Sequence, residues 1–174
     1  MQALKSRRSA REFATKALPL EMLSTLLWAA FGINRPDSGG RTAPSAHNWQ
    51  EVEVYAALAT GLYRYVPANH TLRVAVSGDL RALTGTQDFV GTAPLDLVYV
   101  ADFSRMTDAS AEERAFFAAA DAAGIAQNVY LYAACAGLAA VVRGLIDRSK
   151  LARAMGLRVD QRIVLAQTVG FPAG

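Results

Sequence analysis

Apolar positions along the chain change period several times, and each change marks an element. Leu20, Leu23, Leu26, Leu27, Ala30 and Phe31 recur at intervals of three and four. That spacing predicts an amphipathic helix opening at Leu18-Pro19 and ending at Gly32. Before it, residues 1–17 read as a short helix and a turn. After it, the period shortens to two. Residues 51–56, EVEVYA, alternate as a half-buried strand, residues 59–61 turn the chain, and 62–66, LYRYV, alternate again, so a β-hairpin is expected. A further alternating run covers 70–76, and a short helix is expected within 79–87. Leu95 to Ala101, LDLVYVA, is apolar almost throughout, as a strand covered on both faces must be. A short helix over 148–155, stopped by Gly156, and an apolar strand over 161–170 complete the pattern.

The stretch 111–142 dominates the rest. It opens with Glu112, Glu113 and Arg114 and then turns apolar on every side, interrupted only by Asp121, Gln127 and Asn128 up to Gly137. Alanine dominates, so the expectation is one long helix buried all round. The small residues from Ala118 to Ala126 imply the close approach of another backbone. The run is long enough to span a bilayer, but three polar groups near its middle and the missing aromatic belts favour a core helix, with a subunit interface as one setting for it.

At 174 residues a single domain, 1–174, is expected. Apolar residues make up 52% and charged residues 19%, which excludes a disordered chain and points to surface hidden in an oligomer. The net charge of +3 is too small to argue for nucleic acid. Lys5, Arg7, Arg8 and Arg11 do cluster, which suits a small anion. Cys135, the one cysteine, excludes an intrachain disulfide and is expected as a small buried hydrophobe. His47 and His70 lack metal-ligand spacing, so no metal is expected. No secretory signal follows Arg7-Arg8, because Glu12, Lys16 and Glu21 interrupt any apolar run, and a cytoplasmic location is expected.

Four stretches, two of which overlap, carry candidate chemistry. In SRRSAR, guanidiniums beside a hydroxyl suit a phosphate, the alternative being a solvated basic arm. Residues 32–47 form a long Gly- and Pro-rich loop, of the kind that binds something. In RTAPSAHNWQ, Ser45, Asn48 and Gln50 offer donors and acceptors for the rim of a planar heterocycle, or else satisfy local backbone. Gly137 to Gly144, GLAAVVRG, can bring backbone amides close to a ligand.

The order of these pieces resembles the nitroreductase-like FMN flavoproteins. An RxSxR arm precedes a PSxxNxQ loop that runs into a strand; a hairpin, an Ala-Pro strand, an alanine-rich helix with AQN, a Gly-Leu exit and VGFP follow. TAPSA, GLYRYVPANHTL and AGIAQNVYLYAACAGL are most similar to the short SagB-type dehydrogenase branch. The resemblance implies an α+β fold: a central, mostly antiparallel sheet flanked by helices, with a long buried helix at a dimer interface. It implies FMN held by Arg7, Ser9 and Arg11 with Arg8 beside them. Pro44, Ser45 and Ala46 would reach the flavin from the second subunit with Asn48 nearby, Gln50 would also contact the cofactor, Gln87 would reach the ribityl or ring edge, and Arg143-Gly144 would set a backbone N–H against flavin N5. Glu51-Val52 departs from the Pro-Trp common among relatives. Relatives also continue past the GxP turn to phosphate-gripping basic residues, whereas this sequence ends two residues after Pro172, so phosphate binding is expected to rest on the N-terminal arginines. The implied function is transfer of electrons from NAD(P)H through FMN to a small acceptor such as a nitro compound or quinone, in a ping-pong cycle. No protein acid or base is singled out, and neither nucleic acid nor membrane is an expected partner. The alternatives are a SagB-type oxidation of a peptide azoline and a flavin-binding protein without turnover.

Overall fold

In a computed structural model of the chain, residues 1–173 are described. Six strands form one antiparallel sheet, in an order set by the hairpins and by two returns of the chain. We name the elements α1 (Gln2–Ser6), α2 (Leu20–Phe31), β1 (Ile33–Arg35), β2 (Gly40–Arg41), β3 (Val52–Leu58), β4 (Gly61–Val66), β5 (Thr71–Ser77), β6 (Leu95–Asp102), α3 (Ala111–Ala136), β7 (Ala139–Arg143), α4 (Arg148–Met155) and β8 (Gln161–Gly170). The sheet runs β5-β4-β3-β6-β8-β7, and β1-β2 is a separate two-stranded ribbon. Every residue of β6 is buried, as its apolar run requires at the centre of a sheet covered on both sides.

Strand alternation sorts β6 between two cores. Leu95, Leu97 and Tyr99 face α2 and α3, packing with Leu26, Ala122, Ile125 and Val129. Val98 and Val100 face the other way, against Leu151 and Met155 of α4. Asp96, two residues before Val98 on that second face, is fully buried.

The 26-residue α3 has defined ends. Ser110 accepts from the Glu113 N–H at 3.2 Å, and the Glu113 carboxylate accepts from the Ser110 N–H at 2.9 Å, a reciprocal cap. Gly137 closes the helix with φ 69°, a left-handed conformation that costs glycine little. Burial all round is not what the single chain shows. Ala118, Ala122, Ile125 and Val129 are in the core, but Phe116 is 67% exposed, and Ala119, Ala120, Ala123 and Cys135 are exposed on the other side. The expectation of a buried Cys135 is thus corrected, since it lies on this outward stripe. No helix among the described residues is long and apolar enough to cross a membrane.

Two further expectations are corrected. The loop 32–47 contains the β1-β2 ribbon and ends in a 3-10 turn, Ala46–Asn48. The helix within 79–87 reduces to one 3-10 turn, Arg81–Leu83. Leu138 to Val142 lies largely in an edge strand, β7.

Candidate functional site

The N-terminal arm lies beside the C-terminal end of α3 and along β7. Ala10 donates its N–H to the Ala140 carbonyl at 3.0 Å, which ties the arm to the open edge of the sheet. Tyr130 organises this corner. Its hydroxyl accepts from the Val142 N–H at 2.8 Å and shares a hydrogen bond with Ser9 Oγ at 2.8 Å, while the Arg7 guanidinium stands 5.1 Å from its ring centroid. A cleft of about 510 Å³ opens here, with Lys5, Arg7 and Arg8 on one wall and Tyr130, Ala133 and Gly137 on the other. Its lining holds no carboxylate among the described residues. Arg11 is exposed on the same extended arm.

The second cluster, Pro44 to Gln50, packs near the middle of α3. A Cβ on Gly124 would stand 3.7 Å from the Pro44 ring, so the small residue lets the loop approach the helix. Ala46 donates its N–H to Asp121 at 2.9 Å, and Ser45 accepts from the Gln50 N–H at 2.8 Å. The Gln50 side chain is occupied within the loop, accepting from Arg41 at 2.8 Å and donating to Asn48 at 2.9 Å. His47, Asn48 and Gln50 all have φ between 50° and 54°. Three non-glycine residues held left-handed within four positions store strain, a feature that concentrates at functional sites.

Beneath the loop, Glu51 is fully buried, with Oε1 lacking any hydrogen-bond partner and Oε2 receiving the Ser45 hydroxyl at 3.3 Å. Burial pushes its carboxyl up to about 7, and the neighbouring Asp121 carboxylate pushes it the same way.

The third group lies on β7. The Arg143 side chain turns inward, donating to Asp96 at 2.8 Å, to Thr168 at 2.9 Å and to the Thr84 carbonyl at 2.9 Å, with Gln87 Oε1 at 3.4 Å. Burial raises the Asp96 carboxyl and lowers the Arg143 guanidinium from their ordinary values, each opposed by their mutual attraction. Outward backbone groups on an antiparallel edge fall at every second residue. Ala140 and Val142 are outward, so Arg143 pairs inward with Ala166 and the next outward position is Gly144. Gly144 is exposed, a Cβ there would meet nothing within 4 Å, and its carbonyl accepts from Arg148 at 3.2 Å.

One chain therefore brings Arg7, Arg8, Ser9 and the start of β7 together, and joins Gln87 to Arg143. It does not bring Pro44 to Gln50 to them. From Gly124 to Ala133 the helix advances about 14 Å, and the two clusters stand at opposite ends of that interval. Sequence reasoning placed Lys5 in the basic cluster, which the cleft bears out, but overlooked Tyr130, Asp96 and the Glu51–Asp121 pair. A carboxylate inside an apolar strand signals a buried partner, which makes Asp96 findable. Tyr130 carries no local signal, its partner Ser9 being 121 positions away.

Comparison with known proteins agrees with this architecture. A candidate nitroreductase of Ralstonia eutropha JMP134 is 51% identical and superposes with a TM-score of 0.95 over 99% of this chain and 82% of its own. A candidate nitroreductase of Methanocaldococcus jannaschii is 29% identical, covering 94% of this chain and 86% of its own length. Two distant structures share the fold. A chain of the microcin synthetase McbBCD complex of Escherichia coli matches at 22% identity and TM-score 0.85, over 97% of this chain and 70% of that one. The NADPH:FMN oxidoreductase of Vibrio harveyi, complexed with NAD+, matches at 21% identity and TM-score 0.72, over 99% and 68%. The profile of the nitroreductase family matches residues 4–171. Fold, chain order and the extent of that match agree: the chain belongs to the nitroreductase family.

Proposed function

We propose that this protein is an FMN-dependent oxidoreductase, reduced by NAD(P)H and passing electrons to a small organic acceptor such as a nitro compound or quinone. The observation that carries the proposal is the cleft at the end of α3, where Lys5, Arg7 and Arg8 face a space lined by no carboxylate. Such a donor set fits a phosphate, which guanidiniums grip through paired N–H groups. The glycines fit as well, since Gly137 and Gly144 leave open space where a side chain would stand. FMN, when bound, supplies the redox chemistry between nicotinamide and acceptor.

The chain's own residues bind, orient and shield. Arg7, Arg8 and Arg11 neutralise the phosphate, and the Tyr130 hydroxyl holds Ser9 against Val142 so that the arm presents its donors in one arrangement. The outward N–H of Gly144 is a donor for a ring nitrogen, and the buried Arg143–Asp96 pair fixes the strand that carries it. Pro44, Ser45, Ala46 and Asn48 complete the site from a second copy, because their cluster is displaced along α3 within one chain. The stripe of Phe116, Ala119, Ala120 and Ala123 is the surface on which that copy packs. The high structural similarity to a chain of the microcin synthetase complex favours one second reading, a SagB-type oxidation of a peptide heterocycle. Its mark is flavin that NAD(P)H fails to reduce.

The double substitution Arg7→Ala, Arg11→Ala is expected to strip flavin while leaving the circular-dichroism spectrum and melting cooperativity intact. Full FMN occupancy in that variant refutes the phosphate assignment.

A further inference from the structure

The sheet forks between β3 and β4. Their ladder stops at Tyr55–Arg64, although β3 runs three residues further back to Val52 and β4 two further on to Val66. Beyond the fork β3 stays paired with β6, Val52 opposite Ala101, and β4 with β5, Val66 opposite Thr71. The gap is a pocket of about 240 Å³, room for roughly eight waters at ~30 Å³ each.

Its polar wall is unbalanced in charge. Arg41, Arg64 and Arg105 line it against one carboxylate, Glu53, so the pocket carries three positive charges and one negative, a net of +2. Glu53 is saturated. Its Oε1 accepts from Arg64 at 2.8 Å and Arg105 at 3.0 Å, and its Oε2 from Tyr55 at 3.1 Å and Gln161 at 3.1 Å. Arg41 has no carboxylate partner among the described residues. Its guanidinium lies 5.1 Å from the Phe31 ring centroid and donates Nε–H to Gln50 at 2.8 Å and Nη1–H weakly to the Phe31 carbonyl at 3.5 Å, which leaves Nη2 over. Arg64 spends only Nη1 on Glu53. Burial presses the Arg41 pKa down, Tyr65 opposes that shift, and the nearby Arg105 adds a smaller push downward.

We propose that this fork is a binding site for a compact dianion, a phosphate or phosphomonoester group held between Arg41 and Arg64. A doubly charged oxyanion cancels the +2 excess, takes the unused guanidinium N–H groups, and relieves the Arg41–Arg105 repulsion. Val54, Val66 and Pro67 form apolar walls for a small organic body attached to it. The site lies at the β3-β4 fork, on the far side of β3 from β6, β8 and β7, and shares no lining residue with the cleft at the end of α3.

The test uses the flavin-loaded protein at constant ionic strength, titrated with inorganic phosphate and with phenyl phosphate, and followed by calorimetry and by absorbance of the bound flavin. Saturable binding of both is expected without loss of flavin. Arg41→Gln and Arg64→Gln are each expected to weaken it by about tenfold or more, whereas Lys150→Gln, the same charge change at an exposed position of α4 that does not line the fork, leaves it unaltered. Arg64, 38% exposed at its side chain, carries the test if the Arg41 variant fails to fold. Three results overturn the proposal: no saturable binding, equal weakening by Lys150→Gln, or flavin release in step with phosphate binding, which assigns the phosphate to the cofactor cleft.

Discussion

Replacing Glu51 by Gln is expected to stabilise the protein at neutral pH and to leave it unchanged in acid. Glu51 is fully buried, one of its oxygens has no partner, and the Asp121 carboxylate stands beside it. Its carboxyl is lifted from an ordinary 4.5 to about 7. A raised acid holds its proton in the native state where the unfolded chain has released it, so the native state binds more protons between those two values and stability falls as pH rises through the window. Lifting a carboxyl that far corresponds to about 3 kcal/mol, lost progressively from pH 4.5 to about 7 and constant above. Gln keeps the shape and carries no charge, so Glu51→Gln removes that slope. Part of the gain comes from removing the repulsion between the Glu51 and Asp121 carboxylates. Urea denaturation at half-unit intervals from pH 4.5 to 8 measures it. The variant and parent are expected to match near pH 4.5 and to differ by about 2–3 kcal/mol at pH 8. Asp96, also raised by burial, retains its own slope of the same sign in both proteins. Parallel curves across the whole range refute the reasoning.

Three further outcomes are expected. Tyr130→Phe leaves the Val142 N–H and Ser9 without their shared partner, costing about 1–3 kcal/mol; at about 2–4 °C per kcal/mol for a chain of this size, calorimetry detects it, and an unchanged Tm contradicts the role given to Tyr130. Ser110→Ala removes the cap of α3 and is expected to cost about 1 kcal/mol, read from the urea midpoint. Ala123→Glu sets an unpaired carboxylate on the exposed stripe of α3, at a cost of several kcal/mol if that stripe is covered. Light scattering is expected to show monomers and the visible spectrum loss of flavin, whereas a flavin-bearing dimer removes this stripe from the interface.

Much of the framework was legible because its signals are local. Helix α4 was readable over 148–155 from its stop at Gly156, which has φ 65°, and the structure adds a cap at Asp147, which accepts from the Lys150 N–H at 3.0 Å. Strand β8 was readable over 161–170 from its apolar run, which ends at Gly170. The β1-β2 ribbon escaped because strands of three and two residues are too short to establish a period. Leu138 to Val142 gave no strand signal separate from the apolar helix before it, and only the left-handed Gly137 divides the two.

The site divides in the same way. Arg7, Arg8 and Ser9 were identifiable from chain order and gather at one corner, while Pro44 to Gln50 lie well along α3 from them. No local pattern reports such a distance. Composition could not divide the faces of α3 either, since the alanines that fill the core and those left exposed are the same residue type. For the same reason Cys135, apolar in its sequence setting, lies on the exposed side.

The central claim is that the basic cleft of a nitroreductase-family chain holds FMN and that NAD(P)H reduces it. A visible absorption spectrum of the purified protein, taken before and after adding FMN and then NAD(P)H, tests it most directly. A flavin spectrum is expected, with the pigment released by heat running as FMN and the bound form bleaching on addition of NAD(P)H. A colourless protein whose spectrum added FMN leaves as a simple sum contradicts it.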